Sequence, residues 1–139
     1  MAMTYWLVKQ EPEDYSWDAF FAEGWTVWSG IRNAQARNNL RAMKKDDLVL
    51  YYHTGKEKRI VGIAQVEREH YPDPSAKKGS WSAVELIPFK VLKTPVLLSK
   101  AKTDRVLKTM PLVKQSRLSV STVTEAQFKR ILELGETTV

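Results

Sequence analysis

The chain is 139 residues long without a single cysteine, which removes a disulfide framework, a thiolate metal site and a cysteine nucleophile together. Twenty-two Lys and Arg against sixteen Asp and Glu leave a net charge of +6, a balance that suits a phosphate-rich partner. No apolar run approaches the ~20 residues that span a bilayer and no signal-peptide core follows Met1, so the expectation is one soluble cytoplasmic domain over residues 1–139, with no membrane contact.

Thr4 to Val8, aromatic and β-branched, predicts a first strand, which the run Gln10 to Asp14 interrupts because Pro12 cannot continue a ladder. Ser16 is placed to cap a short helix over 17–22, with Asp18 in its first turn and Gly24 at its end. Trp25 to Trp28 reads as a second extended piece. Residues 33–44 set Ala36, Leu40 and Met43 at helical spacing, the longest helix of the first half.

From Asp47 the period changes. Leu48 to His53 is apolar on both faces, as a buried strand is, and Ile60 to Arg68 reads as its hairpin partner. Tyr71-Pro72-Asp73-Pro74 and Lys77-Lys78-Gly79 make a loop, and a long strand from Trp81 to Leu92 follows, bent or bulged at Pro88. Ser99 is the predicted cap of a helix reaching Lys108, and Arg117 to Val123 is extended. Thr124 and Gln127 stand in capping-box spacing and open a terminal helix with Phe128, Ile131 and Leu132 inward, stopped by Gly135. Strands outnumber helices, and the helices lie between strands rather than after each one. That argues against a doubly wound parallel sheet and for an α+β fold, a small mixed barrel with peripheral helices.

The densest chemistry lies between Trp28 and Lys45. Gly30 allows a tight turn after Trp28, and Asn33 is placed to cap the following helix. Arg32, Arg37, Arg41, Lys44 and Lys45 add five positive charges within fourteen residues. Asn33, Arg37 and Arg41 share one helix face, beside an N-terminus whose free amides attract phosphate. A phosphate-holding face beside an indole fits this pattern; so does a solvated helix over a core tryptophan. His53, at a strand end, reads as a structural hydrogen-bonder or as a group at a barrel rim. Tyr71 is a loop aromatic over a pocket or an anchoring contact. Arg117 and Ser119 share one face of a predicted strand, opposite Leu118 and Val120, which suits a phosphate, a base edge or an ion pair. Asp46 and Asp47 stand at a strand start, where a turn is the better account than paired catalytic carboxylates. Metalloprotease, nucleophile-elbow, Walker and dinucleotide motifs are all missing. Two histidines without cysteine do not make a typical zinc site, so no metal or cofactor is expected.

Six stretches recur in a known order: Tyr5-Trp6-Leu7-Val8-Lys9 with Glu11-Pro12 and Tyr15-Ser16; Trp28-Ser29-Gly30-Ile31-Arg32-Asn33 with Ala36-Arg37-Asn38 and Leu40; Tyr52-His53-Thr54-Gly55; Gly62-Ile63-Ala64; Tyr71-Pro72-Asp73; and Arg117-Leu118-Ser119-Val120. Together they resemble the EVE domain family, a PUA-like fold related to the PUA, ASCH and YTH modules. The resemblance implies a five- or six-stranded pseudo-barrel whose aromatic pocket takes a flipped or single-stranded modified base, such as a 5-substituted cytosine. By motif position it makes Trp28 the stacking wall, with Ser29 and Gly30 supplying backbone polar groups. Lys9, His53, Tyr71, Arg117 and Ser119 fall around the pocket mouth, and Arg32, Asn33 and Arg37 on the helix motif, which Arg41 extends. Two departures stand out. Asp46-Asp47 replaces the Gly-Asp common before the central strand, and the turn is expected to survive because Asp tolerates a left-handed backbone. The loop after Tyr71-Pro72-Asp73 is short beside the family's animal members.

The expected partner is therefore nucleic acid, DNA or RNA, bound by a monomer without cofactor. Two alternatives remain open on this scaffold. One is an enzyme of the ASCH kind, a ribonuclease or nucleoside amidohydrolase using His53 or Lys9 as its acid–base group. The other is a protein-binding adaptor.

Overall fold

Burial of every residue from Leu48 to His53 makes this strand the centre around which the rest assembles. The structure, a computed structural model, describes residues 4–139. In chain order it comprises β1 (Tyr5–Gln10), α1 (Trp17–Glu23), β2 (Thr26–Trp28), α2 (Ala34–Ala42), β3 (Leu48–His53) and β4 (Arg59–Pro72). β5 (Ser82–Leu97), α3 (Leu98–Thr103), α4 (Pro111–Lys114), β6 (Val120–Val123) and α5 (Glu125–Leu134) complete it. One mixed sheet runs β2-β5-β4-β3-β1-β6. β1 lies parallel to β3, while the other neighbours are antiparallel.

Side chains alternate between the sheet's two faces, and each face has its own core. Trp6, Val8, Tyr51 and Trp28 face a cluster closed by Trp17 and Phe20 of α1 and by Ala36 and Leu40 of α2. Leu7, Leu50, Ile60 and Ile63 face a second cluster closed by Ala101 of α3, Leu112 of α4, and Phe128 and Ile131 of α5. α2 packs on both β5 and β6, bridging the edge strand β6 and the strand next to the opposite edge. This is the expected α+β, PUA-like arrangement of a mixed sheet with peripheral helices.

Local chemistry explains the helix starts. Ser16 accepts from the Ala19 amide at 3.1 Å and Asn33 from the Ala36 amide at 2.9 Å. Thr124 and Gln127 form the reciprocal capping box. The turn before β3 survives as expected: Asp46 sits at φ +76°. Its neighbour Asp47 is buried and accepts from Trp6 Nε1 and the Lys44 amide, both at 2.9 Å. The acidic pair is a turn and an anchor.

Several boundaries differ from the sequence reading. β1 continues through Gln10, because Pro12 lies just beyond the last ladder pair. β5 extends past Leu92 to Leu97 despite Pro88 and Pro95. Pro88 sits beside a register shift opposite Ile63 and Ala64, and Pro95 falls where pairing jumps between Gly62 and Ile60. Ser99 caps nothing: the chain passes from β5 into α3 at Leu98, behind an N-cap, Leu97, that makes no side-chain bond. α3 stops at Thr103, where Asp104 accepts from the Val106 and Leu107 amides and turns the chain. α4 was not anticipated, and β6 begins only at Val120, so Arg117 and Ser119 occupy the irregular stretch before it rather than a strand face.

Candidate nucleic-acid interface

β2 ends at Trp28, and the chain reaches α2 through Ser29 to Asn33, with Gly30 at φ +79°, a region that favours glycine. The amide of Gly30 donates to Asp73 Oδ2 at 2.8 Å, and Arg32 Nη1 donates to the same oxygen at 2.9 Å. The other oxygen, Oδ1, accepts from the amide and hydroxyl of Ser75, both at 2.7 Å. Asp73 is thus a buried clasp between the β2–α2 and β4–β5 connections. Burial alone would raise its carboxyl pKa. The bonds from Ser75, Arg32 and Gly30 outweigh it and hold the group well below the usual carboxylate range.

Beside the clasp lies a cleft of about 710 Å³, lined by Arg41, Tyr71, Pro72, Gly79, Ser80 and Trp81 among others. Trp81, half-buried just before β5, is its aromatic wall. The guanidinium of Arg37 stands 5.3 Å from its ring and that of Arg32 5.6 Å. Gly79, at φ +91°, passes so close that a Cβ there would meet Trp81 Nε1 at 2.8 Å. Arg37 donates to the Ser80 carbonyl at 3.3 Å, and Arg41 to the same carbonyl at 3.0 Å, to Ser80 Oγ at 2.7 Å and to Ser82 Oγ at 2.9 Å. α2 therefore holds the loop carrying Trp81. Two guanidinium groups stand against one half-buried indole and a third, that of Arg41, lines the same cleft, an arrangement able to stack a base and hold its phosphates.

The structure brings Gly30, Arg32, Arg37, Arg41 and Tyr71 to this side of the molecule, with Asn33 as the cap of α2 and Ser29 exposed next to Gly30. The Tyr71 hydroxyl donates to Glu85 at 2.9 Å, and the guanidinium of Arg68 lies 4.1 Å from its ring. Burial first, then Glu85, raises its pKa. Trp28 is only 5% exposed and packs edge-on to Tyr51 at 5.5 Å, behind Ser29 and Gly30.

Lys9 lies on the other face of the sheet, which corrects its grouping with Trp28 and Tyr71. His53 shares the face of Trp28, the two rings packing edge-on against Tyr51 at 5.7 Å and 5.5 Å. Lys9 shares the sheet face of Leu7, opposite Trp6 and Val8, and its Nζ donates to the Ser116 carbonyl at 2.9 Å. His53 is buried: Nε2 accepts from the Trp17 amide at 3.0 Å, so Nδ1 carries the proton and donates to Glu57 at 2.8 Å. Both ring nitrogens are taken. Arg117 is exposed and Ser119 half-buried, in the chain leading to β6. The residues that sequence reasoning passed over as site residues are Trp81, read only as the start of a strand, and Asp73, read as loop and as part of the Tyr71-Pro72-Asp73 motif without a role of its own. An indole after the basic, glycine-containing run Lys77-Lys78-Gly79-Ser80 was the available signal.

The model of the EVE domain matches residues 4–134. The chain belongs to the EVE domain family. Thymocyte nuclear protein 1 of Mus musculus is 37% identical, across 96% of this EVE domain and 74% of its own length. The crystal structure of human THYN1 in complex with 5-methylcytosine-containing DNA is 32% identical with a TM-score of 0.88, covering 98% of this chain and 99% of that one. A YTH domain from Zygosaccharomyces rouxii, in complex with N6-methyladenosine RNA, is 17% identical with a TM-score of 0.62, over 99% and 88% of the two chains. That likeness is one of fold.

Proposed function

We propose that this protein binds nucleic acid and reads a modified base of the 5-substituted cytosine kind at the Trp81 cleft. The carrying observation is the half-buried Trp81 indole flanked by Arg32 and Arg37, with Arg41 lining the same cleft. The relative solved with 5-methylcytosine DNA supports the chemistry. In this reading the nucleotide leaves its stack at a cost of a few kcal/mol. The base stacks on Trp81, recovering about 1–3 kcal/mol. Arg37 and Arg41 meet flanking phosphates. Trp28 supports the Ser29–Gly30 wall from behind, and Tyr71, fixed by Glu85, lines the mouth. The Gly30 amide is already engaged by Asp73, so its role is to hold the wall rather than to meet the base.

The test is fluorescence anisotropy on short oligonucleotides that differ only in cytosine or 5-methylcytosine, in single- and double-stranded DNA and RNA. Tighter binding of the methylated strand, weakened about tenfold or more in Trp81→Ala, is the expected result. Equal affinity for both bases would refute base reading. Undiminished discrimination in Trp81→Ala would move the pocket away from this cleft.

A further inference from the structure

A second cleft, of about 290 Å³, is lined by Lys9, Tyr52, Thr54, Lys58, Lys102 and Ser116. It opens on the α3–α4 face of the sheet, near the Arg59–Leu97 end of the β4–β5 ladder, whereas the Trp81 cleft adjoins the Pro72–Ser82 end. Lys9 is half-buried at the C-terminal end of β1. Its ammonium carries three donors. One is taken by the Ser116 carbonyl, and the Tyr52 ring lies 5.9 Å away. Leu98 and Leu112 line the same cleft, so Lys9 is partly desolvated, and its pKa is lowered by burial.

No carboxylate answers this charge. Among the described residues neither Lys9, Lys58 nor Lys102 forms a salt bridge. Two acids on the adjoining connections, Glu11 at the Thr54–Gly55 rim and Glu57, make other bonds. Glu11 accepts from the Thr54 hydroxyl at 3.3 Å, and Glu57 is held by His53 and Arg59. A partly buried cation without a counter-ion is unfavourable unless something else supplies the negative charge. Three lysines around one small cavity match a phosphate, which lysine binds as a point charge.

We propose that this cleft is a binding site for a phosphate ester, with Lys9 as the fixed donor at its back and Lys58 and Lys102 closing over the anion from the rim. Ligand clefts span roughly 300–1,000 Å³, so the size suits a phosphoryl group with a small substituent. Two sources share that chemistry: a free small phosphate ester, and the terminal phosphate of a nucleic-acid strand. The site stands on its own residues and does not depend on base reading at Trp81.

The experiment follows the amide resonances of Thr54, Gly55 and Ser116 in the ¹⁵N-labelled full chain. It is titrated with inorganic pyrophosphate, and separately with unmodified oligonucleotides bearing a 5′-phosphate or a 5′-hydroxyl. Saturable shifts are expected, with affinity reduced roughly tenfold in Lys9→Met and in the double variant Lys58→Gln/Lys102→Gln. The double variant alters two exposed side chains, so it remains informative if Lys9→Met fails to fold. A response to the 5′-phosphorylated strand but not its hydroxyl counterpart supports the site with a strand terminus as ligand. A response to pyrophosphate alone supports it with a small ester. Absence of saturable shifts with every probe, or wild-type affinity in the double variant, overturns the proposal.

Discussion

Asp73 accepts four hydrogen bonds, from Gly30, Arg32 and twice from Ser75, and joins two connections more than forty residues apart in sequence. Its depressed pKa makes this a pH-dependent contribution with a definite sign. An unfolded aspartate titrates near 3.9. Above that value both states are ionised, and the clasp stabilises the fold in full. As pH falls the unfolded chain takes up the proton first, so stability drains away until the folded carboxyl is protonated too. Asp73→Asn keeps the shape and removes the charge. It should cost roughly 1–3 kcal/mol near pH 6 in urea unfolding, with the gap to wild type narrowing near pH 3. A gap independent of pH would mean that the ionised carboxylate is not what holds the loops. Because the clasp sets the Gly30 wall beside the Trp81 cleft, Asp73→Asn should also weaken oligonucleotide binding without touching the ligand directly.

At the scale of elements, α1 is seated by two contacts with the central strands. His53 of β3 accepts the Trp17 amide at the start of the helix, and the Trp17 indole lies flat over Gly62 of β4. A Cβ on Gly62 would stand 2.7 Å from three atoms of that ring, closer than van der Waals contact permits. Gly62 has an ordinary backbone, so the requirement is space rather than φ. Gly62→Ala should therefore destabilise by about 1–3 kcal/mol through overpacking, measured by chemical denaturation. Stability equal to wild type would show that Trp17 has room to move. This contact also marks the boundary of what the sequence made legible. The caps at Ser16, Asn33 and Thr124 were readable because donor and acceptor lie three residues apart. The buried strand at β3 was readable from its unbroken apolar run. α4 escaped because four residues carry no period, and β5 ran past its prolines because the ladder is irregular where they fall. The site was half legible: the arginines of α2 announced themselves by spacing, whereas Trp81 and Asp73 acquire meaning only through partners some forty residues away.

For the whole molecule, the net charge of +6 predicts salt-dependent binding, but not which surface produces it. Lysines occur on many faces, so a bulk effect would spread the salt dependence over all of them. The fold instead gathers Arg32, Arg37 and Arg41 at the Trp81 cleft, and Arg32 is partly neutralised by its pair with Asp73. That leaves Arg37 and Arg41 as the groups able to displace counterions when a strand binds. Each phosphate contact contributes about −0.9 to the slope of log K against log salt for duplex and about −0.7 for single strands. Arg37→Gln and Arg41→Gln should each make the slope shallower by about 1 while weakening methylated and unmethylated strands alike. Trp81→Ala should leave the slope as it is, lowering affinity through the lost stacking and removing the preference between bases. Both arginines also hold the Ser80 carbonyl, so thermal melts must accompany the titrations: a loosened loop would lower base discrimination, which loss of a phosphate contact does not. Slopes unchanged in both arginine variants would place the electrostatic interface on another face, and the stacking and phosphate functions would then have to be assigned to separate surfaces.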